Sequence, residues 1–119
     1  MTSDASLMTP REIAGQAANA IRVLNDLTTE GELSSPTDVR DIVASLELIG
    51  HDLPHLCEQL ARFLVVQHED GQLRHGTGGD PDSAITEIIE SLAAAGQAAD
   101  MMTAALTEAR VTSSVLSPK

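Results

Sequence analysis

Apolar residues recur along this chain at steps of three and four, the spacing that lines side chains up on one face of an α-helix. Ile13, Ala17, Ala20, Leu24 and Leu27 form the first such stripe, and Val39, Ile42, Leu46 and Ile49 the second. A third stripe, Leu53, Leu56, Leu60 and Phe63, is widened by Cys57 and Leu64, a breadth that predicts the most buried helix. The fourth runs Ile85, Ile88, Leu92, Ala95, Ala99, Met102, Leu106 and Ala109, an unbroken heptad seam. Together the stripes predict helices over 10–29, 36–49, 53–69 and 81–110.

Punctuation supports these starts. Thr9-Pro10-Arg11-Glu12, Ser35-Pro36-Thr37-Asp38 and Asp80-Pro81-Asp82 each place a capping side chain before a proline, with an acid close behind. The cap accepts a bond from a free backbone N–H. Proline at the first helical position has no N–H to leave unpaired, and the acid meets the positive end of the helix dipole. Asp52-Leu53-Pro54 is a weaker start of the same kind. Gly31 ends the first helix, and Gly50 closes the second, where a glycine can take the left-handed conformation of a C-terminal residue.

The fold expected is all-α: a single domain over 9–110, built as an antiparallel four-helix bundle with a long C-terminal fourth helix. A three-helix body with the fourth helix exchanged between protomers is the main alternative. At 1.5 Å per residue the four helices would span about 30, 21, 25 and 45 Å, so the last outruns its neighbours. The stretch 71–79 holds four of the chain's eight glycines and reads as a mobile loop. The ends, 1–8 and 111–119, are rich in Ser and Thr and are expected to be disordered.

Composition narrows the chemistry. The 119 residues include sixteen alanines and one aromatic, Phe63, so the core must be made of Ala, Leu, Ile, Val and Met, which favours close helix approach. Eighteen acids against seven bases leave a formal charge of -11, spread along the chain. Without a basic stripe to neutralise phosphates or aromatics to stack on bases, direct nucleic-acid binding is not expected. Such acidity would suit a basic partner, or mimicry of a nucleic-acid surface. No stretch reaches the roughly 20 apolar residues of a membrane span. The N-terminus shows no secretory signal, and a single cysteine permits no internal disulfide. A cytoplasmic protein is expected.

Candidate sites are few. His51, His55, Cys57, Glu58, His68 and His75 are the only set that suggests a metal, yet they form no Cys-x-x-Cys or His-Glu-x-x-His pattern. Cys57 lies two residues from His55, about 200° around the helix, and belongs with the apolar stripe. His55-x-x-Glu58 reverses the carboxylate-bundle spacing and has no second copy. Glu87 and Glu90 read as a solvated face, and Glu58 with Arg62 as a surface pair. The glycine-rich loop lacks a following Gly-Lys-Ser/Thr, and Asp80 and Asp82 would repel a phosphate there. No catalytic residue, metal, cofactor or small-molecule ligand is therefore expected.

Met101 and Met102 lie with Leu106 near the end of a helix too long for its bundle, and thioether side chains suit adaptable interfaces. Around Gly96 small residues occupy nearly every face, so another helix can approach closely. The candidate interface is thus Ala95, Ala99, Met101, Met102, Leu106 and Ala109. The segments Pro10-Arg11-Glu12-Ile13-Ala14, Ala20-Ile21-Arg22-Val23-Leu24-Asn25 and Leu60-Ala61-Arg62-Phe63-Leu64 resemble small uncharacterised all-helical proteins of high-GC actinomycetes. That resemblance spans roughly the first two thirds of the chain and implies no activity. The function expected is a noncatalytic interaction or assembly module acting through the fourth helix, with a protein partner or itself. The alternatives are an acidic regulator of a basic or nucleic-acid-binding protein and, third, a metal-dependent helical-bundle enzyme.

Overall fold

A computed structural model of the chain describes residues 7–119 and contains three helices: α1 Pro10–Thr29, α2 Pro36–Glu69 and α3 Pro81–Ser113. Among the described residues there is no strand, and the all-helical class holds. The expected four-helix bundle does not. Its second and third helices are one continuous α2 of 34 residues, running through both Gly50 and Pro54. The long last helix extends three residues past its expected end, to Ser113, which takes part of the expected C-terminal tail into α3. Of the expected disordered N-terminus, residues 1–6 lie outside the described residues.

All three strong cap-proline pairs open helices, by different means. Thr9 forms a full capping box: Glu12 N–H donates to Thr9 Oγ1 at 3.1 Å and Thr9 N–H to Glu12 Oε1 at 2.9 Å. These bonds hold the Glu12 carboxyl below its ordinary range, the Thr9 backbone bond contributing most. At α3, Asp80 accepts from Asp82 N–H at 3.0 Å. Ser35 makes no side-chain cap. Instead Asp38 reaches back to accept from Ser34 N–H at 2.7 Å and Ser34 Oγ at 2.9 Å, which lowers its own pKa, the backbone bond first.

α1 and α2 both end on a left-handed glycine. Gly31 (φ 82°) and Gly71 (φ 70°) each follow the cap, and the N–H of the next residue bonds back five positions. Glu32 N–H meets Leu27 O at 3.0 Å, and Gln72 N–H meets Gln67 O at 2.9 Å. Gly50 plays no such part. It is a helical residue without a positive φ.

The weak start at Asp52-Leu53-Pro54 fails because tertiary contact overrides a local signal. Pro54 has no N–H to offer the Gly50 carbonyl and costs a helix interior about 3 kcal/mol. α3, however, packs antiparallel along α2 on both sides of this point. Gly96 lies against the Pro54 backbone, while Thr103 and Met102 lie against Gly50. The two bare glycines, both buried, let the helix axes approach where a side chain would hold them apart.

The molecule is drawn out rather than compact. Its Cα radius of gyration is 19.0 Å and its extents are 63 × 37 × 25 Å, whereas about 13–14 Å is expected of a compact domain of this length. Among the described residues only Ile85 and Ala99 are buried apolar side chains. The substantial packing is between α2 and α3, and in α1 only Leu24 is even half-buried.

Candidate interaction face

Two parallel rows run along α2. The row facing α3 is mostly small or polar: Glu47, Gly50, Pro54, Cys57, Ala61, Leu64 and His68, each buried or half-buried. Beside it runs Val39, Ile42, Leu46, Ile49, Leu53, Leu56, Leu60 and Phe63, stepping by three and four without a break. This row has coiled-coil spacing and carries the large side chains. It is not the buried one. Leu60 is 50% exposed and Phe63 61% exposed, which corrects the expectation that the 53–69 segment is the most buried part of the chain.

α3 shows the same displacement. Ile85, Leu92, Ala99 and Leu106 of the expected seam do face α2, and Ala99 is only 5% exposed. The alternate positions differ: Ile89, Gly96, Thr103 and Arg110 complete the seam, while Ile88, Ala95, Met102 and Ala109 are exposed. The true seam therefore lies part of a turn away, because glycine and threonine admit the closer helix approach. Of the candidate interface residues, Ala95, Met101, Met102 and Ala109 are exposed, Leu106 is half-buried and Ala99 is taken up inside the hairpin. Met101 lies one residue, or about 100°, from Met102 and points elsewhere.

The two flanks of the hairpin differ. On one, Glu58, Gln97 and Asp100 rim a groove that is itself mostly apolar, lined by Cys57, Ala61, Ile89, Leu92 and Gly96. In an antiparallel pair, residues one step after the seam on each helix share a side, and residues one step before it share the other. Leu56 and Ala95 thus lie opposite Glu58 and Gln97. With them stand Leu53, Leu60 and Phe63 of α2 and Ile88 and Met102 of α3, which together make an apolar face bordered at Ile88 by Glu87 and Ser91.

Polar contacts fix the hairpin at both ends. Near the start of α2, Glu47 accepts from Arg110 Nε and, at 2.7 Å, from Thr107 Oγ1. The Arg110 bond, then Thr107, holds the Glu47 carboxyl below its ordinary range. At the other end His68 pairs with Asp82. α1 leans on the apolar face only through its last turns, where Ile21 and Leu24 share a cleft with Ile42, Leu46 and Ile49. Leu33 in the connecting loop lines a second cleft with Leu24 and Leu27.

The histidines do not converge. His51 pairs with Asp52 at 3.4 Å and His55 approaches Glu58 at 3.9 Å, both well exposed, while Cys57 turns toward α3. Among the described residues no three His, Cys, Asp or Glu side chains gather as a metal site, and no helix is long and apolar enough to cross a membrane. His75 serves its own loop, accepting from Thr77 N–H at 3.2 Å. Comparison with protein-family models, curated proteins and solved structures finds no match to this chain.

The half-exposed apolar row of Leu53, Leu56, Leu60 and Phe63 was not among the candidate interface residues. Its signal was the register across Gly50 and Pro54: the step from Ile49 to Leu53 is four, so two stripes continue as one.

Proposed function

We propose that this protein is a noncatalytic helical interaction module whose working surface is the apolar face of the α2/α3 hairpin. The observation that carries this reading is an uninterrupted row of large apolar side chains on α2, left half-exposed beside a seam whose α2 side is mostly small or polar. Monomeric proteins rarely leave contiguous apolar patches beyond a few hundred Å², and larger ones mark interaction sites. Relative to the expected site on the last helix alone, the reading moves the surface onto both hairpin helices, with Met102 and Ala95 at its margin. The lone free thiol, Cys57, supports a reducing compartment such as the cytoplasm.

Leu60→Glu and Phe63→Glu test the reading. Each places a charge on the face without touching the seam with α3. Retained helicity with lost assembly or lost partner capture is expected. Unchanged assembly and unchanged capture in both variants would refute the reading.

The charge of -11 supports a second reading, an acidic regulator that occupies a basic protein. It requires binding through the charged flank carrying Glu58 and Asp100, and so predicts that Glu58→Lys with Asp100→Lys abolishes capture while Leu60→Glu spares it.

A further inference from the structure

The chain leaves two apolar surfaces open, and they match. One is the half of the hairpin face beyond Ile49, from Leu53 to Phe63, about 15 Å of α2. The other is the first half of α1, where Ile13 is 44% exposed and the stripe continues through Ala17 and Ala20. Contact between α1 and α2 stops near Ile21 and Ile49, and the shallow cleft farther up α1 is lined by α1 residues with Met8. α1 therefore diverges from its own groove.

The joint between them is tied at both ends. The Gly31 turn makes both of its closing bonds, Gly31 N–H to Thr28 O and Glu32 N–H to Leu27 O, and Asp38 holds Ser34. The direction in which α1 leaves is thus built into the loop.

Surface area supplies the scale. The chain exposes 9052 Å², whereas about 6,200 Å² is expected of a folded monomer of this mass. The excess, roughly 2,900 Å² over the whole elongated chain, is more than the about 800 Å² that one partner buries in a standard contact, so the open surface is sufficient for one.

Resting on the interaction reading above, we propose that the open half of the hairpin face is filled by the first turns of α1 from a second copy of this chain. Two-fold symmetry makes the exchange reciprocal: each chain offers one free α1 and one free groove, so both are filled in a closed dimer. α1, rather than the last helix, is the exchanged element.

The test uses the full chain. Sedimentation equilibrium should show a dimer at micromolar concentration. Ile13→Asp, at an exposed side chain of the first half of α1, should weaken it by about tenfold or more while leaving helix content unchanged. In a Cys57→Ser background, Ala17→Cys chains are then mixed with Leu56→Cys chains and treated with a short bis-maleimide. A covalent dimer containing one of each chain is expected. A strict monomer at high micromolar concentration, with the Leu60→Glu partner-capture defect intact, overturns the second copy but spares the interaction reading. A dimer indifferent to Ile13→Asp and linked only between Leu56→Cys chains overturns the placement of α1. A cross-link within one monomeric chain carrying both cysteines means that α1 closes on its own groove, which overturns the dimer and the interaction reading together.

Discussion

Gly50 and Gly96 face the α2/α3 seam from opposite helices, and the space each leaves differs. A Cβ at Gly96 would stand 3.4 Å from Pro54 Cα, at the edge of ordinary contact. Gly96→Ala should therefore keep the gain in helix propensity and stabilise the chain by up to about 1 kcal/mol in urea unfolding. A Cβ at Gly50 would overlap Thr103 Oγ1 and come within 2.9 Å of Met102 Cε. Thr103 would have to turn and give up its 2.8 Å bond to the Ala99 carbonyl. Overpacking costs about 1–3 kcal/mol, which exceeds the propensity gain, so Gly50→Ala should destabilise. Adding Thr103→Ala removes the colliding oxygen and leaves Cβ at 3.5 Å, so the double variant should recover most of the loss. Additive losses in that cycle would show that the two residues do not meet. Glu47 makes a pH-dependent prediction at the same scale. Its pKa is depressed in the folded chain, so its stabilising bonds are complete above the ordinary value of about 4.5 and fail as pH falls through the lower folded value. Arg110→Ala should flatten part of this acid limb in thermal melts between pH 7 and 3. Glu12 and Asp38, depressed by their own cap bonds, should preserve the rest.

At the scale of the element, Pro54 is the sharpest test of why α2 is one helix. Pro54→Ala restores a donor to the Gly50 carbonyl and relieves about 3 kcal/mol of helix cost, less whatever packing the ring gives Gly96. A clear gain in urea midpoint is expected; a loss would mean that the ring's contact with α3 outweighs the missing hydrogen bond. The same residue marks the limit of what the sequence discloses. Helix starts at Pro10, Pro36 and Pro81 were legible because capping is local chemistry, settled within four residues. The stops at Gly31 and Gly71 are equally local. Gly50 and Asp52-Leu53-Pro54 carried the same local signs, but their outcome depended on residues about fifty positions away, Gly96 and Thr103, and no local rule reports those. The candidate face was legible in part for a related reason. Heptad spacing identifies rows but not which of two adjacent rows the partner helix takes. On α2 the seam went to the row of smaller residues, and on α3 to the row that holds Gly96, Ala99 and Thr103 together with Ile85, Ile89 and Leu92, leaving Leu56, Leu60 and Phe63 on α2 and Ile88 and Met102 on α3 outside. A chain rich in alanine and glycine gains more from close backbone approach than from covering its largest side chains, provided that something else covers them.

For the whole molecule, that condition meets the net charge. Two chains of charge -11 repel each other, and burying an apolar face between them must overcome that repulsion. From about 0.01 M to about 0.15 M ionic strength the Debye length falls from about 30 Å to about 8 Å, which screens most charge on opposite sides of a dimer. The apolar contacts are indifferent to this range of salt. The contacts that fix the hairpin, the Glu47–Arg110 ion pair and the His68–Asp82 hydrogen bond, lie within one chain and cancel from the association step. Dimerisation should therefore strengthen as salt is added, by several-fold in the dissociation constant measured by sedimentation across that range. An acidic regulator gripping a basic protein would behave oppositely, because salt screens the attraction that holds such a pair together. A slope toward tighter self-association is the signature of an apolar face closing against charge. Weakening of self-association with salt would mean that attractive charge pairs between the copies, and not the apolar face, hold them together.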